Sequence, residues 1–252
     1  MLLGAYLIAI IAVACAALTT LPSEPEGGVA RSQTPGQALY GEYCRDCHGS
    51  GGAGDGRLAY LLYPKPRDFT SKLFKLRSTA TGEMPADEDL AKTLRNGMPG
   101  TGMPAFQVLD EQQITTLVAH VKQLGGFPVE PPIAVVVPTP PARSQQLVDL
   151  GRQLYSDLGC HQCHGAAGRG DGPAADALMD DWGYAIQVRD FTRGTYLGGG
   201  SVEDIFVRFV TGMSGTPMPS YLEILSEVGE SEQERQEMLW GLAYFVKSLE
   251  VA

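Results

Sequence analysis

No charged side chain interrupts the apolar run from Met1 to Leu18. As an α-helix the run would span roughly 27 Å at about 1.5 Å per residue, the short end of what crosses a bilayer core. Beyond it the chain turns polar, and Pro22 to Pro35 is rich in Pro, Glu, Gly, Ser and Thr, the composition of a tether. Helical periodicity then appears twice near the ends of two long segments. Leu117, Val121 and Leu124 share one face over residues 114–124, and Leu242, Phe245, Val246 and Leu249 share one over 234–249. A shorter helix is predicted over Leu90 to Arg95, and no segment shows a convincing apolar–polar alternation, so an all-α fold is expected. Between the halves, Pro128 to Pro141 holds six prolines in fourteen residues, which excludes a helix interior and favours extended geometry. The expected organisation is a membrane anchor or signal segment (1–21), a tether (22–35), a first domain (36–126), a Pro-rich linker (127–145) and a second domain (146–252).

The two domains are an internal repeat. Gly36-Gln37-Ala38-Leu39-Tyr40 answers Gly151-Arg152-Gln153-Leu154-Tyr155. Arg67-Asp68-Phe69-Thr70 recurs unchanged as Arg189-Asp190-Phe191-Thr192. Gly97-Met98-Pro99-Gly100-Thr101-Gly102-Met103-Pro104 answers Gly212-Met213-Ser214-Gly215-Thr216-Pro217-Met218-Pro219.

The chemistry lies in two further matched motifs, Cys44-Arg45-Asp46-Cys47-His48 and Cys160-His161-Gln162-Cys163-His164. Cys-x-x-Cys-His is the attachment pattern of c-type haem: the thiols of Cys44 and Cys47, or Cys160 and Cys163, add to the vinyl groups, and the adjacent His reaches the iron. Each copy is followed by Gly and then by Gly-Asp-Gly, which makes chance a poor explanation. Zinc is the main rival use of such residues, but zinc sites combine distant Cys or His pairs, whereas these motifs lie 116 residues apart, each complete with its own His. Two c-type haems, and so two irons, are expected. The formal charge of −10 argues against nucleic acid as a partner.

His48 and His164 are the expected proximal ligands. For the sixth position the candidates are Met98 and Met103 in one half, Met213 and Met218 in the other. Only Met103 and Met218 are followed by Pro in both halves, at 55 and 54 residues after the histidines. Pro cannot continue a helix and fixes the backbone beside the thioether, so Met103 and Met218 are preferred; the other reading is that these methionines fill the core. His161 is expected to point away from the iron, and His120 to lie on the surface of the final helix of the first half. Arg67 and Arg189 have two readings, a clamp on the haem carboxylates or a loop salt bridge to Asp68 and Asp190. Tyr40 and Tyr155 are expected to pack a helix crossing.

On these motifs the chain resembles the diheme class I cytochromes c over residues 36–126 and 146–249. The resemblance implies first and last helices crossing beside each haem, and one-electron transfer through an exposed haem edge. The Arg-Asp-Phe-Thr and Gly-Thr-x-Met-Pro segments are similar to cytochrome subunits of respiratory complexes serving oxidases and molybdenum oxidoreductases. It implies an electron carrier rather than an enzyme, with membrane complex subunits (respiratory or photosynthetic) and a soluble redox partner on either side. The alternative is a haem enzyme, such as a diheme peroxidase or a thiosulfate-oxidising cytochrome, which needs an open or replaceable sixth position. Maturation of this family outside the cytoplasm favours a retained N-terminal anchor in a bacterial inner membrane, with the domains on the periplasmic side. A cleaved signal, or lipidation at Cys15, are the other readings of that segment.

Overall fold

The first helix of the body, α1 (Pro35–Tyr43), begins where its sequence says it should. Thr34 caps it, Gln37 returns the bond to complete a capping box, and Pro35 occupies the first turn, where no amide donor is needed. The computed structural model describes residues 33–251. The anchor expected over 1–21, most of the tether and Cys15 lie outside the described residues, and no helix among the described residues is long and apolar enough to cross a membrane.

In the first half α1 is followed by the one-turn helix α2 (Arg45–His48), then α3 (Asp87–Asn96) and α4 (Glu111–Leu124). The second half repeats the order with α5 (Gln145–Asp157), one-turn α6 (His161–His164) and α7 (Val202–Thr211), adds a short α8 (Tyr221–Ser226), and closes on α9 (Glu232–Ser248). Among the described residues there is no strand, only the isolated bridges Thr79–Ala134 and Met179–Ala185.

Each half has its own core. Leu90, Leu94, Ile114, Leu117, Val118 and Val121 bury the inner faces of α3 and α4 against Tyr40, Phe69 and Phe74. In the second half Leu147, Leu154, Phe206, Phe209, Leu239, Leu242 and Phe245 do the same for α5, α7 and α9, with Phe206 stacked on Trp240 at 4.1 Å. The first and last helices of each half cross at a glycine. Gly36 lies against Thr116 and His120, and Gly151 against Gly241 and Phe245.

That crossing corrects one expectation. His120 is not on the surface; it is 8% exposed, and Tyr40 meets its ring edge-on at 5.1 Å. It fills the place that Phe245 fills beside Tyr155 in the second half. Leu117, His120, Val121 and Leu124 fall at i, i+3, i+4 and i+7, one buried stripe, so periodicity carried the signal that residue type obscured.

Both tyrosines pack the crossing, as expected, and also tie it to the motif that follows. Tyr40 Oη donates to the Gly49 carbonyl at 2.8 Å, and Tyr155 Oη to the Gly165 carbonyl at 2.7 Å. Tyr155→Phe removes a buried bond of this kind and is expected to cost about 1 kcal/mol, read as a lower denaturation midpoint with unchanged slope.

The Pro-rich segment lies along the body rather than free of it. The Val135 amide donates to the Ser78 carbonyl at 2.7 Å, and Tyr244 Oη donates to the Pro141 carbonyl at 2.6 Å. The two halves also meet directly. Lys92 of α3 pairs with Asp204 of α7, Arg77 donates to the Thr211 carbonyl, and Arg208 donates to the Arg77 carbonyl.

Candidate haem-binding sites

α2 and α6 are each a single turn that presents two thiols and an imidazole together. The His48 amide closes on the Cys44 carbonyl at 2.9 Å, and the His164 amide on the Cys160 carbonyl at the same distance. Each turn stops at a glycine with positive φ, Gly49 at +80° and Gly165 at +76°, a conformation that costs other residues. The following Gly-Asp-Gly wraps back over the turn: the Gly54 amide donates to the His48 carbonyl and the Gly170 amide to the His164 carbonyl, both at 2.9 Å. The carboxylates of Asp55 and Asp171 occupy the space where a side chain at Gly49 or Gly165 would go. Cys44 and Cys160 are buried, Cys47 and Cys163 half-buried, and none of the four is in a disulfide.

The repeated Arg-Asp-Phe-Thr proves to be the seat of the imidazole. His48 Nδ1 lies 3.0 Å from the Arg67 carbonyl, and its ring stacks on Phe69 at 4.6 Å and 20°. His164 stacks on Phe191 at 4.5 Å and 21°. The Asp68 carboxylate accepts from the Thr70 amide and hydroxyl at 2.8 and 2.6 Å, and Asp190 accepts likewise from Thr192 at 3.0 and 2.6 Å, which fixes the turn. With the His48 Nδ1 engaged by a carbonyl, Nε2 is the nitrogen left there for a metal; the His164 Nδ1 is buried and makes no such bond. Burial pushes both imidazoles down, His164 to about 4, so each is held neutral as a ligand must be.

The methionine loops match bond for bond. The Met98 amide donates to the Met103 carbonyl and the Met213 amide to the Met218 carbonyl, both at 3.0 Å. Thr101 and Thr216 hydroxyls donate to the Met98 and Met213 carbonyls at 2.8 and 2.7 Å. Met103 packs against the first core and Met218 against the second. In the first half Cys44, Cys47, His48, Met98 and Met103 line one cavity of about 480 Å³, floored by Phe69 and Leu94. Paired thiols at one edge, a neutral imidazole and thioethers around an apolar hollow form a donor set that fits a covalently attached haem.

Comparison with known proteins agrees. The family model described as cytochrome c oxidase, cbb3-type, subunit III matches residues 31–121, and the one described as cytochrome c matches residues 148–250. A chain of the reducing HAO-like protein complex of Kuenenia stuttgartiensis is 37% identical, with a TM-score of 0.79 over 87% of this chain and 97% of that one. The chain is a diheme cytochrome c. It carries two c-type haems, which supply one-electron chemistry when bound.

The arginines of this diheme cytochrome drop one of their two readings, the loop salt bridge. Neither Arg67 nor Arg189 pairs with the adjacent aspartate, whose carboxylate is engaged by its own threonine. Arg67 instead lies over the Trp182 ring of the second half, 4.3 Å from its centroid. Arg189 Nη2 donates to the Pro99 carbonyl of the first half at 3.1 Å. Lys75 joins them. Burial first, then Arg67 and Arg189, push its ammonium down to about 8, with Asp180 opposing. All three cations line the cavity. Crowded, partly buried cations require anions, and Asp180 acts on both Arg67 and Lys75, with Asp68 and Asp181 also acting on Arg67. Lys75 and Trp182 escaped the sequence reading because neither recurs in the other half, where Leu197 answers Lys75. Loss of the Lys75 charge in Lys75→Met is expected to lower the first haem potential, checked by potentiometric titration, because a nearby cation favours the reduced iron.

Proposed function

We propose that this cytochrome relays single electrons through two closed irons, with His48 and Met103 ligating the first and His164 and Met218 the second. Cys44 and Cys47, and Cys160 and Cys163, hold the porphyrin edges, and Arg67 and Arg189 its carboxylates, within domains spanning 36–126 and 146–252 joined by the linker 127–145. The observation that carries this reading is the matched pair of methionine loops, each with Met-Pro presented against its own core. A thioether opposite imidazole favours reduced iron and occupies the sixth position, which suits a carrier and leaves an exchanging substrate no place to bind.

The Kuenenia relative belongs to a protein complex, and that supports a role here as an electron-transfer subunit of an oxidoreductase complex. The apolar run at 1–21 and the extracytoplasmic maturation of the family support a place on the periplasmic side of a bacterial inner membrane. There the chain passes electrons between subunits of a membrane complex and a soluble redox partner. A reduced-minus-oxidised spectrum tests the ligation: both haems are expected to show the near-infrared sulfur-to-iron band of the oxidised state. A haem without it removes the simple relay and favours the enzyme reading. Fractionation tests the location, with the chain expected in the detergent extract and not in the salt wash.

A further inference from the structure

We propose that Arg67 and Arg189 act in trans, each standing on one haem's histidine loop and setting the potential of the other half's haem through its methionine loop. The inference rests on the ligation proposed above. Three observations carry it.

First, the contacts are reciprocal. Arg67 Nη1 lies 3.2 Å from the Cβ position of Gly215, between Met213 and Met218. Arg189 Nη1 lies 2.9 Å from the Cβ position of Gly100, between Met98 and Met103, while its Nη2 donates to the Pro99 carbonyl. The same residue of the repeat meets the same point of the opposite loop in both directions. A side chain at Gly100 would collide with the guanidinium, and one at Gly215 would collide with Trp182, over which the other guanidinium lies.

Second, the loop that carries each arginine seats the histidine of its own half. The Arg67 carbonyl takes the Nδ1 proton of His48. In the second half Phe191, two residues after Arg189, stacks on the His164 ring at 4.5 Å. Each arginine therefore joins the histidine side of one iron to the methionine side of the other.

Third, the first cavity is incomplete without the second half. Ile186, Val188 and Arg189 form part of its wall beside His48 and Met103. A guanidinium fixed there would act on the group that this cavity holds, and the Pro99 carbonyl of the methionine loop braces it.

The test uses the full chain with both haems bound. Arg67→Gln and Arg189→Gln are titrated potentiometrically, and Met103→His, which abolishes the near-infrared band of the first haem, identifies which signal belongs to which half. Arg189→Gln is expected to shift the first haem toward oxidation by about tenfold in the reduced-to-oxidised ratio, about 59 mV for one electron, and to displace its near-infrared band. Arg67→Gln is expected to do the same to the second haem. If either Gln variant fails to fold, Arg67→Lys and Arg189→Lys replace the pair; their compact ammonium cannot stack on Trp182 or bond Pro99 as the fork does, and the band of the opposite haem is expected to move. A shift confined to the haem of the same half makes each arginine act in cis only and overturns the proposal. A change in melting temperature with both potentials and both bands fixed makes them structural only and overturns it equally. Persistence of both bands in Met103→His would instead refute the ligation, a distinguishable failure.

Discussion

Met103→Ala is expected to lower the potential of the first haem by on the order of 0.1–0.3 V, a fraction of the roughly 0.8 V range that axial ligands span, and to leave the second haem almost unchanged. The sign follows from the ligand. Thioether sulfur stabilises reduced iron relative to harder donors, so its removal favours the oxidised state. The effect should be local because the loop does not depend on the side chain for its shape. Its turn is closed by the Met98 amide on the Met103 carbonyl, by the Thr101 hydroxyl on the Met98 carbonyl, and by the Phe106 amide on the Leu94 carbonyl at 2.9 Å. All three survive truncation to alanine. The same variant should acquire an open iron position, seen as carbon monoxide binding to the reduced protein, with none expected for the parent chain. Met98→Ala is the control, since Met98 lines the same cavity and also precedes a proline. It is expected to keep the near-infrared band. If Met98→Ala loses the band and Met103→Ala keeps it, the ligand is Met98, and the repeat has misled.

What the sequence made legible here was local, repeated or both. The Cys-x-x-Cys-His turns, the glycines that end them, the helix order and the matched methionine loops are fixed by residues within a few positions of one another. Duplication showed each pattern twice. Arg-Asp-Phe-Thr was recognisable as a repeated unit, but its purpose was not. The stacking of Phe69 on His48 and of Phe191 on His164 joins residues 21 and 27 apart through a loop with no periodicity. The reach of Arg67 to Trp182 and of Arg189 to Pro99 was less accessible still. Neither contact falls within one half, and a repeat reports what the halves share rather than how they meet. His120 was lost for a different reason. Its stripe was correct and its residue type argued the other way; only the glycine at position 36 on the opposing helix makes room for it.

The glycine crossings lead to the second large effect. Gly151→Ala is expected to destabilise the protein by about 3 kcal/mol or more, beyond the usual range for an added methyl in a packed interior, whereas Gly36→Ala should cost about 1 kcal/mol or less. A Cβ on Gly151 would lie 1.9 Å from the Gly241 carbonyl oxygen and 2.3 Å from its carbon. Those atoms are backbone in the middle of α9, so relief requires moving a whole helix whose inner face, from Leu239 to Val246, is buried. A Cβ on Gly36 would meet the His120 Cβ at 2.9 Å and the Thr116 carbonyl at 3.1 Å, so α4 must move there too, but by a much smaller distance. In both cases alanine regains up to about 1 kcal/mol of helix propensity, enough to offset most of the cost at position 36 and little of it at 151. For a chain of this size about 1 kcal/mol shifts the melting temperature by roughly 2–4 °C. Gly151→Ala should therefore melt about 6–12 °C lower, and a shift under about 2 °C would mean that α5 and α9 do not cross this closely. The damage should also reach the iron. Tyr155 stands one turn beyond Gly151 on α5, and its hydroxyl holds the Gly165 carbonyl directly after His164. Displacing α5 strains that bond, so the spectrum of the second haem should change before that of the first as Gly151→Ala is warmed.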